Sequence, residues 1–262
     1  MILLDQAGAG ADRARFFPPL RTQVPFIEHF WIQETDPTPV RRDWRIIPDL
    51  NPYLIFAISR KDSRAHARCV LVGPRSRFAD VTMADRLLTC GARLRPGALP
   101  SLTRLPASDF TDRSVCVEDV FGARGRVLIE RLDGLRCPNR AIRVISGFLS
   151  REWSRNDRRI DHLPLDEFTR VEDMAARTGL SIRTLRSRLA SHVGLSPKRV
   201  IRIERLYRAL VNAQRRAVAW GEIAASSGFA DQAHMIRDFH DLLGESPTEW
   251  SRRSRLPIRS RQ

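Results

Sequence analysis

One pattern of residues occurs twice in the last third of this 262-residue chain, and it limits the fold more than any other feature. Each copy has an apolar residue and an alanine, a glycine four residues after the alanine, and a terminating Gly-x-Ser-Pro. The first copy runs from Met174 to Pro197 and the second from Ile223 to Pro247. In a helix–turn–helix hairpin, a small alanine allows close helix crossing and glycine adopts the positive φ of the turn. The sequence therefore predicts two related helix–turn–helix units.

The second helix of each unit begins at a residue that can cap it. Ser181 follows its turn glycine by two residues and Asp231 by three, so the second turn is one residue longer. Both side chains can accept hydrogen bonds from the free N–H groups that begin a helix. Apolar residues follow the caps at four and eight residues, namely Leu185, Leu189, Met235 and Phe239. That spacing turns one face inward, and the other face is free to enter a DNA major groove.

The outward faces of these two helices carry residue types that read base edges. Arginine can pair with guanine and glutamine with adenine, while alanine or isoleucine can pack on a thymine methyl group. The positions predicted to face outward are Ile182, Arg183, Arg186 and Ser187 in the first unit, and Gln232, Ala233, Ile236 and Arg237 in the second. For Arg237 the alternative is an internal ion pair with Asp241, one helical turn later.

The second copy carries the more specific motif. It reads GFADQAH from Gly228 to His234, followed by Arg237, Phe239 and the Gly-x-Ser-Pro that begins at Gly244. Together with the first copy, this stretch resembles the DNA-binding domain of the AraC/XylS family of bacterial transcription regulators. The resemblance implies base reading by the outward faces. It also implies double-stranded DNA, RNA polymerase, a small-molecule effector and a second copy of the chain as partners.

The sequence between the two units predicts a connecting helix of about 13 residues. This helix begins near Pro197 and would span roughly 20 Å. Apolar residues recur along it at steps of three and four, and four arginines lie off that stripe: Arg199, Arg202, Arg205 and Arg208. These arginines form either a solvated face or a phosphate clamp. A side chain such as Arg202 is expected to reach only phosphate.

Short β-prone runs separated by proline and glycine fill the first half of the chain, for example Tyr53 to Ile58 and Val70 to Val72. This spacing suggests a barrel or sandwich, and the region weakly resembles sensor domains of one branch of the same family. Apolar spacing after it predicts helices that could pack on the β domain or against a second subunit. The predicted fold class is α+β with two domains. The predicted division is a β-rich sensor or dimerisation domain at 1–122, a helical connector and linker at 123–160, the DNA-binding domain at 161–253 and a basic tail at 254–262.

The overall charge favours a polyanionic partner. The chain has 45 Lys and Arg against 30 Asp and Glu, a net charge of +15, which suits nucleic acid or an anionic membrane surface. The excess is spread over both halves, so charge alone does not locate the binding face. The sequence contains no run of about 18 apolar residues and no basic leader, so we expect a cytoplasmic protein with no membrane partner.

The sequence predicts neither a catalytic site nor a metal or cofactor site. The four cysteines do not have zinc-binding spacing, and there is no nucleophile elbow or phosphate-binding glycine loop. Trp31, Trp44 and Tyr53 could line an effector pocket or belong to an ordinary core. The sequence thus predicts a non-enzymatic, sequence-specific transcriptional regulator in which each monomer reads two successive major grooves under effector or dimer control. The alternative is an architectural DNA-binding protein without an effector.

Overall fold

The computed structural model describes residues 3–5, 13–34, 42–61, 64–83, 86–133, 135, 137–155, 165, 168–215 and 219–253. These residues form an N-terminal β-rich domain and a C-terminal helical domain, which confirms the predicted two-domain α+β fold class. The polar stretch 154–162 was the predicted linker; its residues 154 and 155 belong to the helix Pro138–Arg155, and residues 156–162 lie outside the described residues, as does the basic tail at 254–262.

Two antiparallel sheets make up the β-rich domain. Their strands are β1 (Leu3–Asp5), β2 (Arg13–Phe17), β3 (Ile27–Glu34), β4 (Arg42–Ile46), β5 (Tyr53–Lys61), β6 (Arg64–Val72), β7 (Ala79–Met83), β8 (Arg86–Leu94) and β9 (Ser114–Cys116). The strand order is β1-β4-β7 in the smaller sheet and β2-β3-β8-β5-β6-β9 in the larger. Alternate residues of a strand face opposite sides, so Leu54 and Phe56 of β5 enter the main core while Tyr53 and Ile55 form a separate small cluster.

Four helices of the first half cover the larger sheet. They are α1 (Ala98–Thr103), α2 (Val117–Phe121), α3 (Ala123–Leu132) and α4 (Pro138–Arg155). The last two share the core of the sheet, because Leu128 of α3 and Leu149 and Trp153 of α4 are buried in one cluster with Phe56. Of the two arrangements that the sequence left open, this chain shows the first: the helices pack on the β domain.

The C-terminal domain consists of α5 (Val171–Thr178), α6 (Ile182–His192), α7 (Pro197–Arg215), α8 (Trp220–Ser227), α9 (Gln232–Leu243) and α10 (Pro247–Arg253). Helix α7 is at its centre and has 19 residues, so the expected length of about 13 was too short. A helix buried on most of its circumference needs neighbours on every side. Here the N-terminal domain covers one side, since Ile47 and Leu50 lie in the same buried cluster as Ile203 and Tyr207 of α7.

Candidate nucleic-acid interface

The first helix–turn–helix unit is formed by α5 and α6, as the repeat predicted. Gly179 between them has a φ of 65°, the left-handed conformation that glycine adopts without strain. Ser181 caps α6, because its hydroxyl accepts a 3.1 Å hydrogen bond from the N–H of Thr184. Leu185 and Leu189 are completely buried. The inward face of α6 is therefore fixed by packing.

The second unit repeats this arrangement with α8 and α9. Gly228 has a φ of 85°, and the carboxylate of Asp231 accepts a 2.6 Å hydrogen bond from the N–H of His234. Met235 and Phe239 are completely buried on the inner face of α9. The turn glycines, caps and inward residues read from the sequence thus take these positions in both units.

The outward faces of α6 and α9 are open to solvent. In α6 the exposed candidates are Ile182, Arg183, Arg186 and Ser187, and in α9 they are Gln232, Ala233 and Arg237. Ile236 is half-buried, so its contact surface is smaller than the periodicity suggested. His240 is also exposed, one turn beyond Ile236. The same i+4 spacing could have identified this histidine as part of the stripe, but the sequence prediction omitted it.

The arginines at the start of α7 form neither the predicted solvated face nor a phosphate clamp. Arg199 donates to Asp241 at 2.9 Å, and Arg202 donates to Asp238 at 2.9 Å and lies 2.7 Å from Asp241. Both carboxylates belong to α9, so these ion pairs join α7 to α9. Arg202 is therefore a structural residue, and the expectation that it reaches only phosphate was wrong.

Arg205 continues this series one turn later. Its Nη1 lies 3.2 Å from Nε2 of His234, its Nη2 donates to the carbonyl oxygen of Thr169, and its guanidinium lies 5.3 Å from the ring centre of Phe229. Burial lowers the pKa of Arg205, and the charge of Asp238 partly offsets that effect. Because residues 199, 202 and 205 meet residues 241, 238 and 234 in turn, α7 and α9 run antiparallel and are held together over about two helical turns.

The ion pairs of Asp241 also bear on the alternative reading of Arg237, in which Arg237 would pair with Asp241. Burial of Asp241 opposes ionisation, but hydrogen bonds from Arg199 and Arg202 outweigh it and lower the pKa of this carboxyl. Asp241 is thus engaged with α7, and the structure shows no ion pair of Arg237 among the described residues. The guanidinium of Arg237 stays on the outward face.

Two of the three aromatic residues proposed for an effector pocket are buried in the β-rich domain. Trp31 and Tyr53 lie in the small cluster on one face of the larger sheet, while the side chain of Trp44 lies outside the described residues. The hydroxyl of Tyr53 donates a 2.5 Å hydrogen bond to Asp49, which also accepts two 3.1 Å hydrogen bonds from Arg93. The indole N–H of Trp31 is buried without a hydrogen-bond partner in the described part of the chain.

Two further kinds of site are absent from the described residues. In that part of the chain, no group of three His, Cys, Asp or Glu side chains could hold a metal ion. None of its helices is long and apolar enough to cross a membrane.

Two helix–turn–helix units with open outward faces, joined through one buried helix, define a double helix–turn–helix DNA-binding protein. A family model described as a helix-turn-helix domain matches residues 174–253, and one described as a domain of unknown function (DUF6597) matches residues 15–116. The HTH-type transcriptional activator RhaS of Escherichia fergusonii is 36% identical over 99 residues, which are 36% of each chain. The helix-turn-helix match and the RhaS match support an AraC/XylS-type DNA-binding domain in the C-terminal part of the chain, as the resemblance of its repeated motif implied.

The similarity to RhaS spans about a third of the length of that relative. Among solved structures, ToxT from Vibrio cholerae O395 is 14% identical, with 97% of each chain covered and a TM-score of 0.42. Unsaturated fatty acid bound wild-type ToxT from Vibrio cholerae strain SCE256 is 12% identical, with 98% of this chain and 96% of that chain covered and a TM-score of 0.41.

Proposed function

We propose that this protein regulates transcription by sequence-specific binding, with α6 and α9 entering two successive major grooves on one face of the duplex. The observation that supports this most is that the outward faces of both helices are exposed while their inward faces are fixed in the core around α7. Rigid attachment suits this task, because two recognition helices read successive grooves only when held about one DNA turn, roughly 34 Å, apart. In this proposal α6 and α9 are the two recognition helices.

Within this proposal the two exposed arginines have separate roles. Arg186 of α6 would read one cluster of base pairs and Arg237 of α9 another, about ten base pairs away, each through the bidentate contact that arginine makes with guanine. Ile182, Arg183 and Ser187 would contribute to the first cluster. Gln232, Ala233 and Ile236 would contribute to the second.

The test begins with selection of bound sequences from a random DNA pool, followed by binding of variants to all single-base changes of the selected site. Arg186→Ala and Arg237→Ala should each relax base preference at its own cluster and weaken binding by about 1–3 kcal/mol. Arg131→Ala is the control, because it removes one exposed arginine from α3 in the other domain. Loss of preference at the same base pairs in both variants, or at none, contradicts reading of two grooves.

The β-rich domain is proposed to hold the effector site. The buried, unpartnered indole N–H of Trp31 supports this, since such a donor can bond to a bound molecule. Screening small molecules for stabilisation of the wild-type protein and the Trp31→Phe variant tests it. A compound that stabilises only the wild type supports an effector contact at Trp31, whereas a screen without any stabilising compound favours the effector-independent architectural alternative. Three further features are proposed only from the resemblance to the AraC/XylS family: contact with RNA polymerase, association with a second copy of the chain and a cytoplasmic location.

A further inference from the structure

The C-terminal end of α6 rests on the N-terminal domain. The hydroxyl of Thr111 donates a 2.7 Å hydrogen bond to the carbonyl oxygen of Gly194, two residues after the helix ends. A Cβ atom on Gly194 would lie 2.6 Å from that hydroxyl and 2.9 Å from Cγ of Pro74. The contact is therefore so close that only glycine fits.

The C-terminal end of α9 rests on the same domain at a second point. The N–H of Phe78 donates a 3.0 Å hydrogen bond to the carbonyl oxygen of Leu242. A Cβ atom on Gly244, which follows the helix, would lie 2.5 Å from the ring of Phe78. Each unit thus meets the N-terminal domain at the glycine of its Gly-x-Ser-Pro terminator.

Arg45 of β4 strengthens this second contact. Its Nη1 donates a 3.0 Å hydrogen bond to the carbonyl oxygen of Leu243, while its other nitrogens bind both carboxylate oxygens of Asp80 at 2.7 and 2.8 Å. The guanidinium also lies 4.5 Å from the ring centre of Phe78. The last carbonyl groups of a helix lack partners within it and carry partial negative charge, so a fixed cation is well placed there.

A single short segment connects the two contacts. Pro74 and Phe78 are four residues apart, which limits the distance between their Cα atoms to about 14 Å. Ser76, midway between them, donates a 2.6 Å hydrogen bond from its hydroxyl and a 2.8 Å one from its N–H to the carboxylate of Asp112. Asp112 directly follows Thr111. The residues that touch the two recognition helices are therefore tied to one another.

We propose that the segment Pro74–Phe78, together with Arg45 and Thr111, sets the separation and relative angle of the two recognition helices. It thereby determines which spacing between the two base clusters the protein accepts. This inference rests on the proposed function and assigns a separate part of the specificity to the N-terminal domain. The outward faces would choose the bases, and the Pro74–Phe78 segment would choose the distance between them. One added base pair moves the second cluster by about 3.4 Å and rotates it by about 35°.

The experiment uses the full-length chain and the selected DNA site with one or two base pairs inserted or deleted between the clusters. The wild type should lose about tenfold in affinity for a one-base-pair change, comparable with a mismatched base pair. Thr111→Val and Phe78→Ala should reduce that loss to about threefold or less, with base preference inside each cluster unchanged. A merely structural defect would weaken all sites alike and leave the spacing profile intact.

Two matched controls separate this effect from general damage. Thr103→Val removes a hydroxyl that bonds to Leu99 within α1, and Phe16→Ala truncates a partly exposed phenylalanine on β2. Both should keep the wild-type spacing profile. If Phe78→Ala does not fold, Thr111→Val decides, because valine keeps the shape of threonine. If a folded Thr111→Val variant discriminates between the spacings of the two base clusters as strongly as the wild type does, the inference is wrong. Helix α7 alone would then set the distance between the recognition helices. Absence of base preference in the wild type would instead refute the proposed function.

Discussion

Alanine at two left-handed glycines of the first unit should have different effects, although the sequence presents them as similar turn residues. Gly179 has a φ of 65° and Gly194 a φ of 83°. Alanine in this conformation costs about 1–2 kcal/mol at either position. A Cβ on Gly179 would have nothing within 4 Å, so Gly179→Ala should cost no more than this backbone strain.

At Gly194 the added methyl group also overlaps the N-terminal domain. It would lie 2.6 Å from the hydroxyl of Thr111 and 2.8 Å from the carbonyl oxygen of Ala107, and backbone cannot move aside easily. Overpacking of this kind costs about 1–3 kcal/mol. We therefore expect Gly194→Ala to destabilise the full-length protein by about 2–5 kcal/mol in total.

Urea unfolding of the full-length chain measures this difference, and a double-mutant cycle locates its source. Thr111→Ala removes the closest overlapping atom, so Gly194→Ala should cost less in that background, whereas the cost of Gly179→Ala should not change. Equal costs for the two glycine variants, or no coupling between Gly194 and Thr111, would refute the interdomain contact on which this reasoning depends.

Two further predictions concern the ion pairs between α7 and α9. Arg202→Ala should lower the free energy of unfolding by about 1–3 kcal/mol, because Asp238, 4% exposed, loses its charged partner. The salt dependence of DNA binding should stay unchanged in this variant. A weaker salt dependence would instead indicate that Arg202 contacts a DNA phosphate. Because its folded pKa is lowered, ionised Asp241 stabilises the fold above its unfolded pKa, and this stabilisation disappears as pH falls through the folded pKa. Asp241→Asn should therefore remove part of the loss of stability on acidification, at most about 1 kcal/mol because the side chain is half exposed; an unchanged pH profile contradicts this.

The sequence was most informative where structure depends on neighbouring residues. A left-handed turn needs glycine, and a helix start needs a short polar acceptor. Gly179 and Ser181 therefore identified the first turn and the start of α6 before any tertiary information. Leu185 and Leu189 followed from helical periodicity alone. The exposure of Arg186 followed from the same periodicity, because the face opposite a buried stripe is outward.

Contacts between distant segments could not be predicted in this way. Asp238 and Asp241, the partners of Arg202, lie more than 30 residues further along the chain. Arginines spaced three apart form the same pattern whether they face solvent, DNA or another helix. Choosing among these requires the antiparallel pairing of α7 with α9, which periodicity within α7 does not contain. The burial of α7 by Ile47 and Leu50 could not be predicted either, because these residues also lie far from α7 in the sequence.

The Gly-x-Ser-Pro terminators have two structural roles, one local and one between domains. Only the local role can be read from the sequence. Locally, the glycine ends one helix, and the serine starts the next, since Ser196 accepts a hydrogen bond from the N–H of Arg199. That local purpose would be fulfilled in an isolated helical domain. In the full chain Gly194 and Gly244 are also close contact points between the N-terminal domain and the two units. Glycine is thus required at these positions for two reasons, the backbone conformation and the interdomain packing. Only the interdomain packing connects the β-rich domain to the proposed geometry of DNA reading.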